Sequence, residues 1–341
     1  MTQQTRNGRK FSSFLGIPYA EPPIKDLRFK SPLPAKLWNG VRMANVDGNE
    51  CPQMRGTEIV GSEDCLYLNV FTPNVFKAHY LLPVMVWIHG GAFVGGSSNS
   101  SKYNPGYLLN KDIVLVTLNY RLGIFGFLST GNRAAPGNFG LKDQVLALNW
   151  VQRNIKAFGG DPNRVTLFAQ SAGAASVSLH ALSNASTSFF HQYITQSGSS
   201  LDPWAYQKRS YFEPFVHQLA FLVGCPAIFS ETLVECLRTK KVDQLLSTSS
   251  VFGTIARFAQ LTWTPTDEPE SEDAFLTDSP ENLIAKNKVK DCPFITGNVV
   301  NEGFFITELM YSNKRIYDTV RFGLDLVLNY ISSYYLKPRN N

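Results

Sequence analysis

The sequence predicts an α/β fold, a mostly parallel central sheet with helices on both faces. Three observations point there. Continuous apolar runs of strand length recur through the first two hundred residues, helical stretches alternate with them, and one strand turns abruptly into a helix of small residues at Ser171. Strands apolar on both faces and separated by helices belong in a sheet that is covered on two sides.

The elements follow in chain order. Leu82-Pro83-Val84-Met85-Val86-Trp87-Ile88 reads as a buried strand ending at His89-Gly90-Gly91, and Asp112 to Leu118 as another ending at Asn119-Tyr120-Arg121. From Leu141 to Phe158 the apolar residues take helical spacing, with Val145, Leu148, Val151 and Ile155 on one face. Gly159-Gly160 supplies the stop. Arg164 to Phe168 is a short buried strand, and Ala172, Gly173, Ala174, Ala175 and Ser176 form a helix slim enough to pack tightly on it. Tyr193 to Gln196 is the next strand. Beyond Leu201 the pattern changes to helices and irregular segments. Thr264 to Asp278, rich in proline and acids, reads as an exposed loop, Cys292 to Gly297 as one more strand, and Tyr311 to Asn341 as helical.

Composition sets outer limits. With 341 residues, 44% hydrophobic and 17% charged, the chain has ample material for a core. The net charge of +5 is spread along the chain with no block of lysine and arginine, so no nucleic-acid partner is expected. No stretch approaches the roughly 20 apolar residues of a membrane span. The polar first ten residues carry no export signal. Two acceptor sequons stand at Asn99-Ser100-Ser101 and Asn184-Ala185-Ser186. Cys51 lies close to Cys65 and Cys225 to Cys236, with Cys292 left over. Two local disulfides in an oxidising compartment, or five reduced cysteines, both fit that spacing.

A serine at a strand-to-helix elbow sits on a strained turn with its hydroxyl exposed and a helix N-terminus behind it, which makes Ser171 a nucleophile. Acyl transfer also needs donors for the oxyanion. The backbone N–H groups of Gly90-Gly91-Ala92-Phe93, at the mouth of a parallel strand, and the N–H of Ala172 are the candidates. No metal or cofactor site is read in the chain.

These motifs, with several longer ones, resemble the type-B carboxylesterase/cholinesterase family, and most of all its insect esterases. The longer ones are Phe14-Leu15-Gly16-Ile17-Pro18-Tyr19-Ala20-Glu21-Pro22-Pro23, Glu63-Asp64-Cys65-Leu66-Tyr67-Leu68-Asn69-Val70, Asn119-Tyr120-Arg121-Leu122-Gly123, Gly137-Asn138-Phe139-Gly140-Leu141-Lys142-Asp143-Gln144, Phe158-Gly159-Gly160-Asp161-Pro162 and Gln196-Ser197-Gly198-Ser199. The resemblance implies an α/β-hydrolase fold and one type-B domain over residues 1–341, with the C-terminal part of that fold missing. It also implies a secreted serine hydrolase of small or medium lipophilic esters. It matches Ser171 to the nucleophile, Gly91, Ala92 and Ala172 to the oxyanion hole, and Glu302 to the triad acid. Ser197 matches a buried serine supporting the site and Trp204 an acyl-pocket residue. Cys51–Cys65 and Cys225–Cys236 match the family's first two disulfides.

Departures from the family are also legible. Ala169 replaces the leading glycine of the elbow, and Gln170 stands where cholinesterases carry glutamate. The Cys51–Cys65 loop has no tryptophan to hold a choline ammonium, which argues against acetylcholine-type substrates. All five histidines, His79, His89, His180, His191 and His217, precede Glu302, whereas the family's catalytic histidine follows it. The expectation is therefore a partial catalytic domain, entered near Phe14 without the family's first short strands, with its base past Asn341. A non-catalytic, cholinesterase-like adhesion module is the alternative. Retention of Ser171, the oxyanion loop and Glu302 argues against it.

Overall fold

The computed structural model describes residues 1–73, 80–255 and 262–304, together with 307, 308 and 311. The strands are β1 (Thr2–Gln4), β2 (Lys10–Pro18), β3 (Gln53–Arg55), β4 (Glu58–Val60), β5 (Tyr67–Thr72), β6 (Leu82–Ile88), β7 (Val114–Leu118), β8 (Gly160–Gln170), β9 (Gln192–Gln196) and β10 (Phe294–Gly297). The helices are α1 (Gly123–Phe127), α2 (Phe139–Asn154), α3 (Ala172–His180), α4 (Glu213–Val223), α5 (Ser230–Thr239), α6 (Val242–Ile255) and α7 (Pro280–Ala285).

Eight strands form one sheet in the order β1-β2-β5-β7-β6-β8-β9-β10. The five from β7 to β10 are parallel to one another, and β5, β2 and β1 extend the sheet in antiparallel fashion. Strands β6, β7 and β8 carry Val84, Val86, Ile88, Val114, Val116, Leu118, Val165 and Leu167, all fully buried. Such runs are what a sheet covered on both faces requires. Proline at position 83 has no N–H to give the ladder, and the β6–β8 register shifts between Leu82 and Val84. One core cluster reaches from Ile17 to Leu283.

Helix α2 and the 3-10 turn after it occupy the stretch predicted from periodicity, closed by Gly159 at φ 80°. The residues around the start of the chain form the antiparallel pair β1–β2, in which alternation along β2 buries Phe11, Ser13 and Leu15 on one side, and the register shift between Phe14 and Ile17 turns Ile17 to the other. One expectation is corrected. The Thr264–Asp278 segment is irregular but largely not exposed: Thr264, Thr266, Glu268, Phe275 and Leu276 are buried. Its acid finds partners inside. Glu268 meets the Lys142 ammonium at 2.7 Å, and the Asn138 amide and Phe275 N–H donate to it at 2.8 and 2.9 Å. The helical pattern expected after Tyr311 lies outside the described residues.

Both expected disulfides are formed, Cys51–Cys65 and Cys225–Cys236, and Cys292 is free and half-buried. No helix among the described residues is long and apolar enough to cross a membrane.

Candidate active site

Parallel strands deliver their carboxyl ends to one edge of the sheet, and ligands of open α/β sheets bind in the crevice beyond those ends. Here the register pairs Ile88 with Ala169, Gln170 with Gln196, and Gln196 with Gly297. The loops after β6, β8, β9 and β10 therefore leave the sheet side by side. They begin at His89, Ser171, Ser197 and Asn298, so segments far apart in sequence meet at one place.

Ser171 caps α3 with φ 57° and ψ −128°, a conformation rarely adopted by a residue with a side chain. Its N–H donates to the Gln196 carbonyl at 2.9 Å, and Ser197 N–H donates in turn to Gly297 at 2.9 Å. The small residues around the elbow explain how it is accommodated. A methyl group on Gly173 would stand 2.2 Å from the Ile88 carbonyl oxygen, one on Gly198 2.4 Å from that of Ser171, and one on Gly90 2.6 Å from that of Gln170. Three backbone segments thus press on the elbow at distances only glycine permits. Ala169 is completely buried within β8.

The loop after β6 closes a tight turn, with Val94 and Gly95 N–H both donating to the Gly91 carbonyl at 3.0 and 2.9 Å. Gly91, Ala92 and Phe93 all have positive φ, of 123°, 55° and 59°. Among the described residues, eight non-glycine positions have positive φ, and four of them, Ala92, Phe93, Ser171 and Ser197, stand at these strand ends. Strain concentrated in this way marks a functional site. Phe93 anchors the turn in the core, packing edge-on to Phe127 at 5.1 Å and facing Trp204 at 6.3 Å. Trp204 is half-buried, so the loop and the expected acyl-pocket residue share an apolar wall.

Glu302 lies in the exposed loop after β10. Its carboxylate accepts from Val299 N–H at 2.9 Å and faces the Ser197 hydroxyl, and the two hold it below the usual carboxylate range. Ser197, expected to be buried, is only partly so. Its hydroxyl nevertheless faces Glu302, which brings two of the expected site residues together.

The histidines sit elsewhere. His89 is buried, stacked on Tyr120 at 4.4 Å, with Nδ1 2.9 Å from the Gly90 carbonyl oxygen, and burial pushes its pKa down to about 4. His180 is buried at the end of α3 with Nε2 against Gln144 Oε1 at 2.8 Å, and its pKa falls to about 3 for the same reason. His191 accepts from Val165 N–H midway along β8, five residues before that strand's end, and His217 is exposed on α4. His79 lies outside the described residues. Sequence reading missed what His180 supports. Gln144 donates to the Ser176 hydroxyl at 3.3 Å, and that hydroxyl donates to the Ala172 carbonyl at 2.9 Å, bracing the first turn of α3. An i, i+4 spacing of Ala172 and Ser176 was the only local signal.

Among the described residues, no group of histidine, cysteine and acidic side chains could hold a metal ion. Of the two sequons, Asn184 is exposed and Asn99 half-buried, its side-chain oxygen accepting from Ser101 N–H at 2.9 Å.

Comparison with known proteins agrees with this fold. The profile described as "Carboxylesterase family" matches residues 1–338. The chain is 40% identical over 338 residues to a carboxylic ester hydrolase of Bombus ignitus, covering 97% of this chain and 59% of that protein. It is 43% identical over 312 residues to a juvenile hormone esterase of Tribolium castaneum (88% and 53%). With esterase FE4 of Myzus persicae it shares 42% over 320 residues (90% and 54%). The chain thus spans somewhat more than half the length of these curated relatives.

Proposed function

We propose that this chain, which belongs to the carboxylesterase family, serves as a serine hydrolase of carboxylic esters through an acyl-enzyme on Ser171. The observation that carries the reading is the strained Ser171 between the α3 N-terminus and the positive-φ turn Gly91–Phe93. Ser171 Oγ attacks the ester carbonyl, and the oxyanion is met by the N–H groups of Gly91, Ala92 and Ala172. Collapse of that intermediate expels the alcohol, and water then releases the acid and restores the serine. A base must take the Ser171 proton and return it to the leaving alcohol. His89 and His180 are sealed in the core with a ring nitrogen engaged by Gly90 and Gln144, and burial disfavours the imidazolium that a base must become, so neither fills that role. Glu302, steadied by Ser197, is the group that would orient an imidazole base.

Phe93 and Trp204 favour a small or medium lipophilic acyl group, and residues 51–65 lack the tryptophan that a choline ammonium needs. The one eight-stranded sheet, with the large core cluster packed on it, supports one type-B domain across the chain, and the two disulfides support a secreted protein bearing glycans at Asn99 and Asn184.

Reaction with a fluorophosphonate probe, beside a short-chain aryl ester assay, tests the reading. Labelling confined to Ser171 and lost in Ser171→Ala is the expected result. Folded protein in which Ser171 fails to react even with imidazole supplied in solution as the base would overturn it in favour of a non-catalytic binding module.

A further inference from the structure

Gln53 is buried to 7% exposure inside the loop closed by the Cys51–Cys65 disulfide, and both ends of its amide are used. Its Nε2 donates to the Cys51 and Gly96 carbonyls at 3.0 and 2.9 Å, while its Oε1 accepts from Gly96 N–H at 2.8 Å. Gly96 is thereby held through both its backbone groups by one side chain 43 residues away. This glycine has φ +111°, and a methyl group there would meet His89 Nδ1 at 2.4 Å and the Gly90 carbonyl oxygen at 2.5 Å. It is therefore pressed against the stem of the turn that carries the Gly91 and Ala92 N–H groups. Neighbouring contacts run in the same sense. Ser97 donates to the Glu50 carboxylate at 3.2 Å, and Ser98 N–H to Asn119 at 2.7 Å. The two residues after Gly96 are thus tied down, and Gln53 grips Gly96 itself.

We infer that Gln53 is a positioning residue for the oxyanion turn: presented by the Cys51–Cys65 loop, it clamps Gly96 and so sets where the Gly91 and Ala92 N–H groups point. The inference rests on the esterase reading for its catalytic consequence, but the clamp itself is independent of turnover. An amide carries its donor and its acceptor on separate atoms, so it can donate to the carbonyl and accept from the N–H of one residue at once. Oxyanion donors act only when preorganised, so a small displacement of the turn costs rate rather than affinity.

Two variants separate this from a general packing role. Gln53→Met keeps the length and removes both hydrogen-bonding groups, whereas Gln53→Glu keeps an acceptor for Gly96 N–H and loses the donor. Hydrogen exchange followed by mass spectrometry should show peptides covering residues 90–98 exchanging about tenfold faster in Gln53→Met, with those covering α3 unchanged. Gln53→Glu should also raise exchange in the same peptides. Fluorophosphonate labelling of Ser171 should slow about tenfold in its bond-forming step, with the reversible binding constant of the probe unaltered. Unchanged exchange in a folded Gln53→Met protein overturns the inference, as does faster exchange without slower labelling. Loosening spread evenly over the sheet, or unfolding of both variants, also overturns it, because Gln53 would then serve the fold as a whole. If the unsubstituted protein is not labelled, the esterase reading fails, and exchange at 90–98 alone decides the clamp.

Discussion

The contact that leaves least room for change is at Gly173, where an added methyl group would come within 2.2 Å of the Ile88 carbonyl oxygen. A backbone carbonyl in the middle of a parallel sheet cannot rotate away, so α3 must lift from β6 to admit the group. Gly173→Ala should therefore destabilise the protein by about 2 kcal/mol, within the range for overpacked cores. It should also move Ala172, the next residue toward Ser171, away from the oxyanion. Urea titration measures the first effect and probe labelling the second. A variant with an unchanged midpoint would mean that α3 packs on β6 more loosely than these distances describe. Serine is tolerated at φ 57° here because Gly90, Gly173 and Gly198 let three backbones hold it in place. The strain at the nucleophile and the glycines around it are one feature.

At the scale of elements, what could be read from sequence was what is local. Strands β6, β7, β8 and β9 announce themselves by apolar runs of the right length, α2 by its periodicity and its glycine stop, and the Ser171 elbow by small residues after a strand. The rest depends on distant partners. Glu302 reads locally as a surface glutamate, and it joins the site only because β10 pairs with β9 across about a hundred residues, Phe294 opposite Tyr193. Family resemblance supplied its role where periodicity could not. The Thr264–Asp278 segment failed for the same reason. Proline and acids signal exposure unless a buried cation waits elsewhere, and Lys142 on α2 is that cation. Burial pushes the Glu268 carboxyl up while Lys142 and Asn138 pull it down. Glu268→Ala should cost about 3 kcal/mol, because it leaves the buried Lys142 ammonium with only the exposed Asp273 carboxylate at 3.5 Å. A denaturation midpoint within experimental scatter of the unsubstituted protein would show that the segment is not anchored through this pair.

For the whole molecule, two neutral imidazoles sealed in the core give stability a definite pH dependence. Burial lowers His89 to about 4 and His180 to about 3, whereas an exposed histidine titrates near 6.5. Between those values the unfolded chain takes up protons that the folded chain refuses. The contribution of each ring is thus complete above about pH 6.5 and is lost progressively as pH falls from there toward the folded value. By pH 5 the loss is about 2 kcal/mol for each ring, enough to matter against the total stability of an ordinary domain. Urea midpoints at pH 7.5 and pH 5 measure it directly. His180→Gln should shrink the difference by one ring's share, and a midpoint that does not move between the two pH values would rule out neutral burial of these rings. Both histidines sit beside the nucleophile's supports, His89 at the stem of the oxyanion turn and His180 behind α3. Acid should therefore loosen the ground under Ser171 before it unfolds the sheet, so labelling of Ser171 should decline at higher pH than global unfolding begins.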